Sequence, residues 1–141
     1  MKKNFYDLVI FGSGLSAKAM SLVARNAGLS FKIITDKNFS NITNDDTRSL
    51  ALSVASKKML QVLGADIKTE AVKKMIVIEG GLGDEKIKSR LTFDRDLVDE
   101  DIAYIAEYSV IEKSLDKALK LKDIEYTSDE VIDIHKERNH T

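Results

Sequence analysis

Cysteine, proline and tryptophan are all absent from the 141-residue chain. Without cysteine there is no disulfide framework, no thiolate metal site and no cysteine nucleophile, so any redox chemistry has to come from a bound cofactor. Charge of one sign is lacking too: 22 basic residues face 23 acidic ones, for a net charge of -1. Neither sign dominates a long stretch, and the electrostatic footprint of a nucleic-acid binder is missing. No apolar run approaches the roughly 20 residues that a membrane-spanning helix needs. The N-terminus passes from Lys2, Lys3 and Asn4 into a strand pattern rather than into a signal-peptide core, which makes the cytoplasm the expected location. The missing proline accompanies abundant lysine and isoleucine and carries no functional reading. A chain of this length suits one domain with a core of ordinary size, here expected over residues 1–134 with a polar tail at 135–141.

What is present begins with Tyr6-Asp7-Leu8-Val9-Ile10-Phe11-Gly12-Ser13-Gly14-Leu15-Ser16-Ala17. An apolar run ends in a glycine turn and a helical run follows, the pattern of a buried strand handing over to a helix whose N-terminus faces a phosphate. Gly12 permits the tight turn, Gly14 lets a pyrophosphate approach the backbone, and Ala17 stands in for the usual third glycine where helix and strand pack closely. Leu15, Ala19, Leu22, Val23 and Ala27 recur at helical spacing, with Gly28 at the C-terminal stop. A second strand spans residues 31–35. Strand, turn, helix and strand make a βαβ unit of about 30 residues, so the fold class is α/β, Rossmann-like, with a parallel sheet. A ribose-binding carboxylate is expected at the end of the second strand, and Asp36 stands there. A polar loop at 37–47 follows it.

Residues 49–63 read as a second helix, with Leu52, Ala55, Met59, Leu60 and Leu63 on one face and Gly64 as its stop. Arg48 stands at its start, where a positive charge opposes the helix dipole and suggests an anionic ligand or a salt bridge to Asp45 or Asp46. A strand at 75–79, the glycine cluster Gly80-Gly81-Leu82-Gly83-Asp84 and a returning strand at 91–93 form a short β-hairpin excursion. An acidic connection spans 94–101. Val110, Ile111, Leu115, Ala118 and Leu119 mark a third helix, and residues 124–126 and 131–134 look like two further short strands. His135 and His140 lie in the tail without ligand-like spacing, and no metal site is expected.

The stretch Asp46-Thr47-Arg48-Ser49-Leu50-Ala51-Leu52-Ser53-Val54-Ala55-Ser56 resembles the D-x-R-x-x-A-L-S-x-x-S segment of the FAD-dependent aromatic-ring hydroxylases of ubiquinone biosynthesis, relatives of p-hydroxybenzoate hydroxylase. The resemblance continues through Leu60, Leu63 and Gly64 and reappears at Ala103-Tyr104-Ile105-Ala106-Glu107, so that it spans nearly the whole chain. It implies that the segment Gly12, Ser13, Gly14, Leu15, Ser16 and Ala17 holds the FAD pyrophosphate, that the end of the second strand holds the adenosine ribose, and that Arg48 lies near the flavin. In family register the ribose acid falls on Thr35, with Asp36 one residue later. Tyr108-Ser109 replaces the family's usual Asn-Arg. Family members are much longer, and their second flavin motif, of the type G-D-A-x-H, lies beyond residue 141.

The resemblance therefore implies the N-terminal part of a flavin monooxygenase, inactive alone, with no catalytic acid or base of its own. NAD(P)H would be the electron donor, without a recognisable site here. The aromatic substrate, a polyprenyl phenol, would be met only in a complete enzyme, and its lipid solubility implies a place beside the membrane rather than across it. A C-terminal partner chain or self-association would cover the apolar faces left open. An NAD(P)-binding oxidoreductase domain and a non-catalytic, vestigial nucleotide-binding fragment stand as the alternatives. If Asp36 holds the ribose, Asp36→Ala costs about 1.5–3 kcal/mol, roughly ten- to hundredfold in FAD affinity. Fluorescence titration checks this, and an unchanged affinity with a loss in Thr35→Ala would move the role to Thr35.

Overall fold

The computed structural model describes residues 5–35, 47–79 and 89–135. β1 (Leu8–Phe11), α1 (Leu15–Asn26) and β2 (Phe31–Thr35) open the chain, followed by β3 (Ser49–Leu52), α2 (Val54–Val62), β4 (Glu70–Val72) and β5 (Lys74–Glu79). β6 (Ser89–Asp94), α3 (Arg95–Val98), β7 (Ala103–Glu107), α4 (Tyr108–Leu121) and β8 (Thr127–Ser128) complete it. Two compact units result, residues 1–44 with 115–141 and residues 45–114, so the boundary falls inside α4. Asp36, Asp45, Asp46, most of the polar loop, the glycine cluster at 80–84 and His140 lie outside the described residues.

The first unit is built on a parallel sheet in the order β1-β2-β8. β1 and β2 pair from Leu8 opposite Phe31 to Phe11 opposite Ile34, and β8 joins β2 with Thr127 opposite Ile34. Parallel neighbours need a long crossover, and α1 provides it. Ile10 and Ile33 of the sheet, Leu22 and Ala24 of α1, and Leu115, Ala118 and Leu119 of α4 are buried and form this unit's core. Burying Leu22 alone contributes about 1.5–3 kcal/mol.

The buried residues of α1 are Lys18, Ser21, Leu22 and Ala24; of the expected stripe, Leu22 is buried, Leu15 and Ala19 are half-buried, and Val23 and Ala27 are exposed. Val23 faces solvent. A lone lysine is too costly to bury, but Asp116 of α4 meets the Lys18 ammonium at 2.7 Å and offsets the desolvation. Gly28 closes the helix with φ +71°, while the Leu29 N–H donates back to the Ala24 carbonyl at 3.0 Å. At the N-terminal edge of the sheet, the Asp7 carboxylate accepts from both the backbone N–H (2.8 Å) and the hydroxyl (2.6 Å) of Ser30, fixing the register of β1 against β2.

The second unit holds an antiparallel sheet in the order β3-β7-β4 and the separate hairpin of β5 and β6. Here the helix expected over 49–63 is corrected: residues 49–52 are a strand, and the helix begins only at Val54. Leu50 and Leu52 are half-buried while Ser49 and Ala51 are exposed, the period of two that a strand requires. The Ser53 hydroxyl then accepts from the Ser56 N–H at 3.0 Å and starts α2 afresh. Gly64 ends that helix with φ +87°. Leu60, Leu63, Ala65, Ile67, Ala103, Ala106 and Ile111 form the core of this unit. The acidic connection contains α3, capped by the Asp94 carboxylate.

Near the C-terminus only Thr127 and Ser128 among the described residues pair as a strand, where residues 124–126 and 131–134 were expected. Ile124 is instead drawn back to α4, its N–H donating to the Leu119 carbonyl and its side chain buried. Residues 131–134 find no strand partner among the described residues, and Ile132 is 94% exposed. No helix of the described residues is long and apolar enough to cross a membrane.

Hydrogen bonds from the Ser30 hydroxyl first, and from its backbone N–H second, hold the Asp7 carboxyl below the ordinary aspartate range. A lowered pKa in the folded state adds stability above the unfolded value and loses it as pH falls through the folded one. Wild type should therefore lose stability as pH drops below about 4, and Asp7→Asn should be less sensitive there. Thermal unfolding across that range checks this, and identical slopes would contradict it.

Candidate dinucleotide site

β1 ends where the Gly12 N–H donates to the Ile34 carbonyl at 2.8 Å, the last rung tying it to β2. Gly12 then takes φ +106°, a conformation that side chains with a Cβ rarely adopt, and the chain turns off the sheet toward α1. Gly14 differs in kind. It is the N-cap residue of α1 with φ -67° and ψ 175°, extended backbone open to any residue. A Cβ built on it would meet nothing within 4 Å. Neither backbone conformation nor internal packing requires glycine at position 14, and what its missing side chain leaves is open space above the start of α1.

That space is electropositive. The first intrahelical hydrogen bond joins the Lys18 N–H to the Gly14 carbonyl at 3.0 Å, so the N–H groups of Leu15, Ser16 and Ala17 have no acceptor in the helix. Among the described residues no side chain caps them, and the first turn contains no acidic residue. Among the described residues no backbone acceptor meets the N–H of Ser13 or Gly14 either. The helix dipole adds its positive end at the same place.

The side chains play smaller parts. The Ser13 hydroxyl oxygen is buried without a hydrogen-bond partner among the described residues. Ser16 is exposed at the helix start, and Leu15 is half-buried. The Ala17 carbonyl accepts from the Ser21 hydroxyl at 2.7 Å. Thr35 closes β2, with its carbonyl accepting from the Asp129 N–H at 3.3 Å. An open groove of about 580 Å³ lies at this end of the sheet, walled by Phe11 and Ile34 and by Val131, Ile132 and Ile134. It lies at the carboxyl ends of parallel strands, where open α/β sheets bind their ligands.

Arg48 belongs to the other unit. It precedes β3 instead of heading a helix, which removes the expected clash with a helix dipole at α2. Its carbonyl accepts from the Tyr108 N–H at 2.8 Å, and its guanidinium lies 4.9 Å from the centre of the Tyr108 ring. Tyr108, flagged in the sequence only as a departure from a motif, thus meets both the backbone and the side chain of Arg48. Sequence reasoning also missed the partnership of Lys18 with Asp116, which are 98 residues apart and share no local signal. No titratable side chain belongs to the glycine turn, and no group of three or more His, Asp or Glu side chains among the described residues could hold a metal ion. The turn can bind an anion, and it offers no acid or base.

The sequence matches no protein-family model and no curated protein. Among solved structures, a geranylgeranyl bacteriochlorophyll reductase-like protein from Thermoplasma acidophilum aligns over 86% of this chain and 29% of its own, with 16% identity and a TM-score of 0.54. A peptidyl tryptophan dihydroxylase essential for tryptophylquinone cofactor biogenesis aligns over 92% of this chain and 26% of its own, with 11% identity and a TM-score of 0.43. 2,6-Dihydroxypyridine-3-hydroxylase from Arthrobacter nicotinovorans aligns over 76% and 25%, with 14% identity and a TM-score of 0.45. The chain thus spans less than a third of the length of each of these proteins. The likeness to the reductase-like protein concerns the fold, which is Rossmann-like α/β with a parallel sheet.

Because the Ser13 hydroxyl is desolvated and unpaired, Ser13→Ala should leave stability unchanged or raise it by about 1–2 kcal/mol. Urea unfolding measures this. A loss of stability would show that the hydroxyl has a partner on which the fold depends.

Proposed function

We propose that this chain binds FAD at its glycine turn, as the N-terminal FAD-binding part of a flavin-dependent monooxygenase that hydroxylates an aromatic ring. The observation that carries the reading is Gly14, a glycine that neither backbone strain nor packing accounts for, at the N-cap of α1 where a Cβ would stand in open space beside the helix N-terminus. The donor set fits a pyrophosphate: main-chain N–H groups of residues 13–17, the positive end of a helix dipole, and no carboxylate in the first turn. Gly12 sets the approach of strand to helix, and Ala17 keeps that junction close. Thr35 stands at the strand end where a ribose hydroxyl is held in dinucleotide sites, and Asp36 follows it in the sequence. The groove beside Phe11 and Ile34 offers apolar surface to the adenosine end.

The flavin, when bound and reduced, supplies the oxygen chemistry that no side chain here can provide. This chain's share is to grip the cofactor's phosphates and orient its long axis. Arg48, held against Tyr108, is assigned to the flavin end by the sequence resemblance. The same resemblance names NAD(P)H as the electron donor and a polyprenyl phenol of ubiquinone biosynthesis as the substrate class of a complete enzyme.

Gly14→Val should fold with the wild-type circular dichroism spectrum and bind FAD at least about tenfold more weakly, because its side chain would project into the space above the helix N-terminus. Flavin fluorescence titration of both proteins tests this. Equal affinities would remove the glycine turn from the site, and tight binding of NAD⁺ with none of FAD would replace the flavin reading with a nicotinamide one.

A further inference from the structure

The hairpin of β5 and β6 is a ribbon of two strands, with no further strand beside either edge among the described residues. Its register puts Met75 opposite Phe93 and Val77 opposite Leu91 on one face, with Lys74 opposite Asp94, Ile76 opposite Thr92 and Ile78 opposite Arg90 on the other. Ile76, Val77, Ile78, Leu91 and Phe93 are all exposed. A lone ribbon of two strands is marginal in water, and stability generally needs a third strand and an apolar face. An exposed edge of main-chain donors and acceptors is also a template for pairing.

The sequence of β6 is self-complementary when run against itself. Centred on Thr92, an antiparallel pair of β6 strands sets Arg90 opposite Asp94 of the second copy, Leu91 opposite Phe93 of the second copy, and Thr92 opposite its own equivalent. The first two pairings each occur twice about the two-fold axis, the threonine pair lies on it, and all are favourable cross-strand pairs. The Arg90 side chain makes no hydrogen bond or ion pair among the described residues, so its charge is available. The Asp94 carboxylate meets Lys74 through Oδ2 at 2.9 Å and accepts from the Asp96 N–H through Oδ1 at 3.2 Å, so in the pairing Arg90 would share an oxygen with one of these partners, on a side chain 25% exposed. Moving the axis to Leu91 or Phe93 breaks both Arg90–Asp94 pairs, so charge selects one register. β5 has no equivalent solution, since centring on Val77 sets Glu79 against Met75 and centring on Ile76 sets Lys74 against Ile78.

We propose that β6 is a self-association edge, along which a second copy of this chain pairs antiparallel about Thr92 to join the two ribbons into one sheet in the order β5-β6-β6-β5. Met75, Val77, Leu91 and Phe93 then run continuously across one face of that sheet with their counterparts. The ion pairs and the two threonines lie on the other face. The pairing is independent of what the glycine turn binds.

The test is sedimentation of the full chain from micromolar to several hundred micromolar concentration. The expected result is a monomer–dimer equilibrium in wild type. Thr92→Lys and Thr92→Glu should each weaken the dimer by about tenfold or more, because each sets like charges opposite one another at the axis. An equimolar mixture of the two should recover dimers as heterodimers. The absence of native cysteine allows a second measurement on a nearly unaltered strand: mild oxidation should link Thr92→Cys into a covalent dimer and leave Ser89→Cys unlinked, since Ser89 faces no strand residue of the second copy. A wild type that stays monomeric throughout, a dimer unmoved by both charge variants, or cross-linking at position 89 and not at 92 would each overturn the proposal.

Discussion

The first unit depends on the backbone at Gly12. With φ at +106° the chain leaves the sheet in a direction that a residue with a Cβ could take only under strain, and that direction determines where α1 starts. The remainder follows geometrically. α1 must lie against the β1–β2 pair to serve as their crossover, its N-terminus must open at the carboxyl ends of those strands, and its unpaired N–H groups must face outward there. Gly14 leaves that opening clear. The two glycines, two residues apart, thus answer to different constraints, one internal to the fold and one external to it.

Polar contacts at the two ends of the first unit hold this arrangement. At the N-terminal edge Asp7 and Ser30 fix the strand register, while on the helix side Lys18 and Asp116 join α1 to α4 through a charge pair whose lysine side chain is 6% exposed and whose aspartate is 49% exposed. Arg25 of α1 donates to the Lys122 carbonyl at 2.8 Å, adding a second tie at the turn that follows α4. The glycine turn itself contains no titratable side chain, so what it contributes to anion binding should follow main-chain geometry and the helix dipole.

The βαβ unit was legible because each of its signals is local: the apolar run of β1, the glycines, the helical period of α1 and the bounds of β2, which the structure places at Phe31–Thr35. The strand at 49–52 was not, because Leu52 fits both the alternation of a strand and the helical face of Leu60 and Leu63, and only the cap at Ser53 separates the two patterns. β4, of three residues, is too short for any periodic signal. At the site, the glycine turn was readable from type and spacing. The burial of the Ser13 hydroxyl, the stacking of Arg48 on Tyr108 and the neutralisation of Lys18 were not, since each depends on which side chains the tertiary structure brings together.

The central claim is that the opening above α1 receives the pyrophosphate of FAD. Isothermal titration of the purified chain with FAD, and separately with inorganic pyrophosphate as competitor, tests it most directly. The account expects one FAD bound per chain, displaced by pyrophosphate in excess. FAD binding that pyrophosphate does not disturb, or no binding at all, would contradict it.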